Sequence, residues 1–247
     1  MSRIVMVTGG SRGIGAAAAR LAAEQGYDVC INYNSNCEAA EAVATDVEKA
    51  GQQALVVQAD TSKEADVLRL FETCDKQLGT LDALINNAGI VGHMTRMEDM
   101  QADAIDELFG INVRGYFLCA REAVRRMSTK HSGKGGTIVN TSSAAAYIGG
   151  GGEWIHYAAS KGATDTMTFG LAKEVAKEGI RVNAVQPGLI ETEIHATGMA
   201  NRLEVMTPMV PMGRTGSAEE VAEVILWLLS DAASYVTGAL VPVSGGR

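Results

Sequence analysis

The sequence is poor in the residues that build metal sites and disulfide frameworks. Its 247 residues include four cysteines and four histidines, and no cysteine lies in a CxxC motif or a Cys/His cluster. We therefore expect no bound metal ion. Cys30 lies in an apolar run and Cys119 in a run of helical character. Buried, reduced thiols are expected at both positions, as is usual in the cytoplasm.

The chain also lacks a long apolar run and an excess of positive charge. No apolar stretch reaches the roughly 20 residues of a membrane-spanning helix, and residues 1–7 are too short to be a secretory signal. Lysine and arginine number 21 against 29 aspartates and glutamates, which gives a net charge of −8. Such a surface repels nucleic acid and anionic membranes. The expected partner is a small molecule, and the expected location is the cytoplasm.

Short β-branched runs alternate along the whole chain with longer alanine-rich runs of helical period. The pattern predicts strands at residues 3–7, 28–32, 54–58, 83–86, 136–141, 181–186 and 240–243. It predicts helices at residues 15–25, 37–50, 64–78, 102–128, 156–177 and 218–230. Several strand runs are apolar almost throughout, which is typical of parallel strands covered on both faces. We expect a single α/β domain over residues 1–247, a doubly wound Rossmann-type parallel sheet of about seven strands with helices on both faces.

The least regular stretch of the chain is residues 191–214, where methionine, proline and glycine are scattered. An irregular segment of this length inside a compact domain is usually a lid or a binding loop. We expect it to cover the substrate.

A glycine-rich turn at residues 8–15, Thr-Gly-Gly-Ser-Arg-Gly-Ile-Gly, joins the first predicted strand to the first predicted helix. Gly9, Gly13 and Gly15 permit a tight turn with no Cβ in the way of a ligand. The free N–H groups and the positive dipole end of the helix favour a pyrophosphate. A glycine-rich turn between a strand and a helix therefore predicts a dinucleotide site, although a methyltransferase can use a similar turn.

The end of the second predicted strand indicates which dinucleotide is preferred. A carboxylate at this point would hold the ribose hydroxyls of NAD, but residues 31–36 are Ile-Asn-Tyr-Asn-Ser-Asn and the first acid is Glu38. A guanidinium beside neutral donors, such as Arg12 beside Asn34, suits the 2′-phosphate of NADP. We therefore favour NADP(H), with NAD(H) as the alternative if Arg12 is an ordinary solvated surface residue.

A second group of candidate residues begins with Tyr157 and Lys161. Their spacing of four residues on a helix places both side chains on one face. A nearby ammonium stabilises a phenolate and lowers the pKa of a tyrosine, so the pair is suited to acid/base chemistry at a carbonyl or alcohol. Chance also produces such pairs. Here, however, Ser143 follows one predicted strand and Asn87 another, and ligands of doubly wound sheets bind at these strand ends.

Together these motifs resemble the short-chain dehydrogenase/reductase family, over the whole chain and including Gly238 and the closing residues 244–246. The chain is similar to 3-oxoacyl-carrier-protein reductase-like and glucose 1-dehydrogenase-like members. The resemblance implies an NAD(P)-dependent enzyme acting on CH–OH groups, with Asn112, Ser143, Tyr157 and Lys161 as catalytic residues. Tyr157 would exchange the proton, Lys161 would hold the nicotinamide ribose, Ser143 would orient the substrate oxygen, and Asn112 would hold a water linking Lys161 to solvent.

The resemblance also implies the residues that bind the cofactor. They are Gly9, Ser11, Arg12, Gly13, Ile14, Gly15, Asn34, Asp60, Thr61, Asn87, Ala88, Gly89, Tyr157, Lys161, Pro187, Gly188, Ile190 and Thr192. Asp60 would contact the adenine, and Ile190 and Thr192 would hold the nicotinamide carboxamide. The resemblance further suggests a homotetramer with the helices at 102–128 and 156–177 at one interface, and closed symmetry would be the usual outcome.

One departure from the family pattern concerns the substrate side. Thirteen residues separate Ser143 from Tyr157, where many members have twelve, and the extra length falls at Tyr147, Trp154 and the four glycines between them. Such a glycine run predicts a mobile loop beside the site. The residues expected to face the substrate are His93, Met94, Tyr147, Trp154, His195 and Met199.

Two other classes of function remain open at this point. A dinucleotide-binding redox sensor without activity predicts a broken catalytic set, whereas this sequence retains all four residues. A methyltransferase predicts an acid at the end of the second strand and has no use for the Tyr157–Lys161 pair. The sequence therefore favours the oxidoreductase, although a fold alone does not establish a function.

Overall fold

The computed structural model describes residues 2–192 and 202–247. Its strands are β1 (Arg3–Val7), β2 (Tyr27–Tyr33), β3 (Ala54–Gln58), β4 (Ala83–Asn86), β5 (Gly136–Thr141), β6 (Ile180–Pro187) and β7 (Leu240–Val243). Its helices are α1 (Gly13–Glu24), α2 (Cys37–Lys49), α3 (Glu64–Gln77), α4 (Ala102–Phe109), α5 (Gly115–Met127), α6 (Ala145–Ile148), α7 (Ile155–Val175), α8 (Arg202–Met206) and α9 (Ala218–Leu229). The predicted substrate residues His195 and Met199, and the middle of the predicted lid, lie outside the described residues.

The seven strands of the described chain form one parallel sheet in the order β3-β2-β1-β4-β5-β6-β7. The predicted doubly wound, Rossmann-type fold is thus confirmed. The order reverses between β1 and β4, and the crevice outside the strand ends at such a switch point is where ligands bind in sheets of this kind. Thr8 and Asn87, which follow these two strands, therefore flank the expected site.

Each face of the sheet carries its own apolar core. On one face the alanine-rich α1 packs with α2 and α9, and its small side chains allow close approach to the strands. On the other face α3, α5 and α7 supply larger side chains such as Leu70, Phe71 and Met127, all fully buried. Burying both faces explains why the strands read as apolar throughout rather than alternating.

The predicted helix at 102–128 is interrupted. A π-helical turn, Gly110–Arg114, separates α4 from α5. Such turns insert an extra residue into a helix and often occur at functional sites. Here the turn carries Asn112, whose side chain is fully buried and hydrogen bonded to the backbone of Ile90. The hydrophobic periodicity of the sequence did not predict this turn, because the hydrogen bonds of Asn112 join the helix to a loop more than twenty residues away in the sequence.

The predicted mobile loop at residues 147–154 is a hydrogen-bonded structure. The short helix α6 contains Tyr147, and the backbone N–H groups of Glu153 and Trp154 both donate to Gly150 O, at 3.1 and 2.9 Å. Thr95 N donates to Glu153 O at 2.9 Å, which ties this turn to the loop after β4. Three of the four glycines serve turn geometry, since Gly149, Gly150 and Gly152 have positive φ angles of 88°, 62° and 77°.

Candidate active site

The glycine-rich turn at residues 8–15, called the glycine cradle below, is packed too closely for side chains at three of its positions. Gly9 has a φ of +63°, and a Cβ there would lie 2.9 Å from Ala88 Cα. Gly13 has a φ of +53°, and a Cβ there would lie 3.3 Å from Thr192 Cγ2. A Cβ on Gly15 would collide with Gly9 O. These three positions therefore require glycine, and the turn leads into the N-terminus of α1 beside Thr192, an arrangement that suits a pyrophosphate.

Thr8 holds the cradle against the end of β4. Its hydroxyl oxygen accepts hydrogen bonds from the backbone N–H groups of Asn87 and Ala88, at 2.8 and 3.0 Å. Asn87 Nδ2 in turn donates to Thr8 O at 3.0 Å. The segment Asn87–Gly89, predicted to line the adenosine ribose, is therefore fixed directly opposite the glycine-rich turn.

Asn32 has a positioning role that the sequence reading missed. Its buried side chain accepts a hydrogen bond from Gly9 N at 3.2 Å and donates to Val57 O and Ala59 O at 3.3 and 3.0 Å. The residue therefore joins the glycine-rich turn to β2 and β3 and is not free to face a ribose. Asn34, two residues later, is exposed at the same sheet edge, and so is Arg12 at the start of α1.

The remaining predicted cofactor residues lie around the same edge. Asp60 follows β3, and its carboxylate accepts from Ser62 and pairs with Lys63, while Thr61 is buried. At the end of β6, a Cβ on Gly188 would lie 2.7 Å from Ser244 Cα. Ile190 is buried and bridges to Gly216, so its side chain belongs to the core and only its backbone can face a ligand.

Tyr157 and Ser143 meet at the end of β5. Ser143 is the second residue after the strand, and Tyr157 lies in the first turn of α7, where its hydroxyl is close enough to the Ser143 side chain for Ser143 to lower the pKa of Tyr157. Lys161 follows one helical turn later and is buried, with 3% of its surface exposed. The structure therefore brings together three of the four residues predicted to be catalytic.

The Lys161 ammonium is held from two sides. Its Nζ donates to Thr141 O at 2.7 Å and to the Tyr116 hydroxyl at 3.3 Å, and it lies 5.0 Å from the Tyr116 ring centroid. Tyr116 on α5 also donates its own hydroxyl proton to Thr141 O at 3.0 Å. Sequence reasoning missed Tyr116, because nothing in its local pattern distinguishes it from a core aromatic.

Burial shifts both titrating groups of the site. Burial raises the pKa of Tyr157, against a lowering effect of Ser143. Burial lowers the pKa of Lys161 to about 7, against an opposing effect of Asp165. The lowering of the Tyr157 pKa by Lys161 that the sequence predicts is not found in this arrangement. The reason is that Lys161 is only partly charged near neutral pH and directs its protons at Thr141 and Tyr116.

Asn112 is fully satisfied by the protein itself. Its side-chain oxygen accepts from Ile90 N at 2.9 Å, and its amide donates to Ile90 O at 2.8 Å and to Ser160 Oγ at 3.1 Å. A Cβ on Gly89 would lie 3.2 Å from Asn112 Oδ1 and 3.6 Å from Lys161 Nζ. The side chain thus fixes the loop after β4 beside Lys161.

The residues predicted to face the substrate divide into two groups. Met94 and Tyr147 are exposed, at 45% and 52%, and His93 is exposed on the same loop as Met94. Trp154 is buried at 6% exposure, so the expectation that it faces the substrate is wrong. The backbone N–H of Trp154 donates to Gly150 O, and burial of its largely apolar ring away from water is favourable.

Within the described ranges no group of three or more His, Cys, Asp or Glu side chains is arranged to hold a metal ion. In the same ranges no helix is both long and apolar enough to cross a membrane.

The glycine cradle and the Tyr157–Ser143 pair open onto the same edge of the sheet, on either side of its switch point. A dinucleotide whose phosphates bind in the glycine cradle would extend toward Tyr157 and Ser143. This arrangement places the protein among the dinucleotide-dependent oxidoreductases.

Comparison with known proteins identifies the family. The family described as enoyl-(acyl carrier protein) reductase matches residues 9–247. The chain is 51% identical, over 245 residues and 99% of both chains, to "Uncharacterized oxidoreductase YgfF" of Escherichia coli (strain K12). It is 35% identical to the 3-oxoacyl-[acyl-carrier-protein] reductase FabG of Staphylococcus aureus, over 100% of this chain and 98% of that protein.

Solved structures agree with this family. A short-chain type dehydrogenase/reductase from Mycobacterium marinum superposes with a TM-score of 0.93 at 34% identity, covering 99% of this chain and 94% of the other. A short-chain dehydrogenase from Burkholderia cenocepacia in complex with NADP gives 0.92 at 32%, covering 99% and 97%. The 3-ketoacyl-(acyl-carrier-protein) reductase from Brucella melitensis complexed with NADH gives 0.92 at 33%, covering 99% and 98%. The chain belongs to the short-chain dehydrogenase/reductase family and is an NAD(P)-dependent oxidoreductase.

Proposed function

We propose that the protein is an NADP(H)-dependent oxidoreductase that interconverts the carbonyl and alcohol forms of a small molecule, with Tyr157 as the general acid/base. The observation that carries this proposal is the meeting of Tyr157, Ser143 and Lys161 beside a glycine cradle. When bound in the cradle, the nicotinamide cofactor supplies or accepts the hydride.

The residues of the chain divide the remaining work. Ser143 and Tyr157, whose side chains lie close together, present two hydroxyl groups to a substrate oxygen. Tyr157 donates its proton to that oxygen in reduction and accepts it in oxidation. In reduction the raised pKa of Tyr157 keeps the proton on the hydroxyl at neutral pH. Lys161 is placed to hold the nicotinamide ribose, since its Nζ lies beside Gly89, 3.6 Å from where a Cβ on that glycine would be.

The preference for NADP(H) rests on charge at the end of β2. No carboxylate lies there, whereas Arg12 and Asn34 are both exposed at that edge. A guanidinium with neutral donors suits a 2′-phosphate. The second candidate is an NAD-preferring alcohol or sugar dehydrogenase of the same family, and the structure of the Brucella melitensis reductase complexed with NADH supports keeping NAD(H) as an alternative cofactor.

The substrate of the proposed reaction is a free small molecule. The chain carries a net charge of −8, so its average surface offers no attraction to an acidic carrier protein. Exposed aromatic side chains at Phe117 on α5 and Phe169 on α7 support the proposal of a homotetramer assembled through these helices. A cytoplasmic location stays a prediction.

Titration of the protein with NADPH and NADH, followed by a screen of carbonyls and alcohols with the preferred cofactor, tests the proposal. Tighter binding of NADPH with carbonyl turnover is the expected result. Tighter binding of NADH favours the alcohol dehydrogenase instead. Binding without turnover of any carbonyl or alcohol identifies a sensor and overturns the proposed activity.

A further inference from the structure

Asp165 is a largely buried acid that the proposed reaction does not use. It lies on α7, one helical turn beyond Lys161 and on the same helix face. Its Oδ2 accepts a hydrogen bond from Gln186 Nε2 at 2.9 Å. Its Oδ1 is shielded from solvent and has no hydrogen-bond partner among the described residues. Because an unsatisfied, desolvated carboxylate oxygen costs free energy, a compensating role for this charge is to be expected.

The surroundings of Lys161 indicate what that role is. The titratable groups around the Lys161 ammonium are Tyr116 on α5 and Tyr157 on α7, whose ring centroids lie 5.0 and 5.8 Å from Nζ, and Asp165, one helical turn along α7. Both tyrosines are neutral at physiological pH, because burial raises the pKa of each. Within the described part of the chain, Asp165 is therefore the negative charge that opposes the effect of burial on Lys161.

Ser142 and Gln186 hold these two groups in register. Ser142 Oγ donates to Lys161 O at 3.2 Å, and Ser142 N donates to Val185 O at 2.9 Å, so the end of β5 is tied both to α7 and to β6. Burial raises the pKa of Asp165, while the hydrogen bond from Gln186 and the charge of Lys161 lower it. The ionised form of Asp165 and the charged form of Lys161 thus stabilise each other through space.

We propose that Asp165 is a positioning residue for the reaction, whose carboxylate, held by Gln186 and one helical turn from Lys161 on α7, favours the ammonium form of Lys161 beside Tyr157. The consequence for turnover rests on the proposed function, in which the charged form of Lys161 holds the nicotinamide ribose beside Tyr157. The effect on Lys161 itself is independent of any substrate.

The direct test is NMR titration of protein labelled with 13C at lysine Cε. In the wild type we expect Lys161 to titrate near pH 7, apart from the exposed lysines, and its signal is assigned as the one lost in Lys161→Arg. In Asp165→Asn the Lys161 titration should move to lower pH by about half a unit or more, since a stabilising opposite charge is removed. An unchanged Lys161 titration in Asp165→Asn overturns the proposal.

Glu174→Gln is the matched control. It removes the same charge from an exposed position of the same helix, where water screens it, and should leave the Lys161 titration in place. Asp165→Glu keeps the charge and should restore most of the wild-type value. An equal shift in Glu174→Gln contradicts a specific role for Asp165. If Asp165→Asn fails to fold, Gln186→Leu, which removes the donor that stabilises the carboxylate, should give a smaller shift in the same direction.

The kinetic readout is the pH profile of kcat/KM for carbonyl reduction. In Asp165→Asn the alkaline limb should move to lower pH with the Lys161 titration, while the plateau below that limb stays within about twofold of wild type. A uniform loss of rate at all pH values, with the limb unmoved, indicates a structural role and overturns the proposal. If the wild type reduces no carbonyl, the proposed function fails. The NMR titration still tests the effect of Asp165 on Lys161, because it needs no substrate.

Discussion

The Tyr147 hydroxyl donates a hydrogen bond of 2.8 Å to the backbone oxygen of Arg247, one hundred residues further along the chain. The same oxygen accepts from Ser244 Oγ at 2.9 Å, and Met212 N donates to Gly245 O at 3.0 Å. The turn at residues 244–247 thus joins α6, which begins two residues after Ser143, to the returning part of the predicted lid. This contact lies at the side of the crevice that we propose receives the substrate.

Removing that contact should affect substrate binding more than chemistry. Tyr147→Phe deletes the hydroxyl from a half-exposed side chain, so we expect folding stability to change by about 1 kcal/mol or less. The KM for the carbonyl substrate should rise by roughly 3- to 10-fold, as for the loss of one hydrogen bond of about 1 kcal/mol. Steady-state kinetics with kcat and KM resolved, beside an NADPH titration, measure this, and kcat and cofactor affinity should stay near wild type.

Tyr235→Phe is the control for this variant, because Tyr235 is fully exposed and undergoes the same chemical change away from the crevice. Its kinetic constants should equal those of the wild type. An unchanged KM in Tyr147→Phe would show that the turn at 244–247 does not act on the substrate.

The assignment of Tyr157 as proton donor predicts a separation of binding from catalysis. Tyr157→Phe keeps the ring and removes the exchangeable proton, so kcat should fall by about 10²- to 10⁴-fold, which is the usual contribution of a general acid. Fluorescence titration with NADPH should give an affinity close to that of the wild type. Near-normal turnover in this variant would contradict the assignment of Tyr157 as the proton donor.

Arg12 should determine the choice between the two dinucleotides. Arg12→Ala should weaken NADPH binding by roughly 10- to 100-fold, in line with about 1.5–3 kcal/mol for a charge-assisted hydrogen bond, and leave NADH binding nearly unchanged. Arg20→Ala is the matched control, since Arg20 lies two helical turns further along α1, where it pairs with Asp46 at 2.9 Å. Isothermal titration with both cofactors measures the ratio, and equal losses of NADPH and NADH affinity would contradict a phosphate contact.

The pKa of Lys161 predicts a pH dependence of stability. Burial lowers its pKa in the folded protein to about 7, below that of an exposed lysine in the unfolded chain. Between these two values the unfolded state binds the extra proton, so the contribution of Lys161 to stability rises with pH above about 7. Lys161→Met lacks this term. Its Tm should therefore exceed that of the wild type most at pH 7 and below, and the difference should shrink toward pH 10.

Differential scanning fluorimetry of both proteins from pH 6 to pH 10 follows this difference. A constant difference in Tm across that range would mean that Lys161 keeps its ordinary pKa in the folded protein.

Local patterns explain what was predictable. The apolar runs predicted all seven strands to within two residues at each end, because burial on both sheet faces leaves a direct composition signal. The structure also places Tyr157 and Lys161 one turn apart on a helix and Ser143 after β5, as the sequence predicts. Both features were predictable because helix period and strand ends are properties of short segments. The glycine positions likewise follow from local backbone geometry, as the positive φ angles of Gly9 and Gly13 show.

The tertiary structure decided which polar groups are left for chemistry. Asn32 and Asn112 look like available amides in the sequence, yet both are used up by hydrogen bonds to distant backbone. Tyr116 looks like a core aromatic, yet it holds Lys161. Such roles depend on which strand ends and loops meet. The burial that lowers the pKa of Lys161 depends on the same long-range packing. The sequence by itself thus determined the fold class and the set of reactive groups, while tertiary contacts decided their partners, their charge and the direction in which each can act.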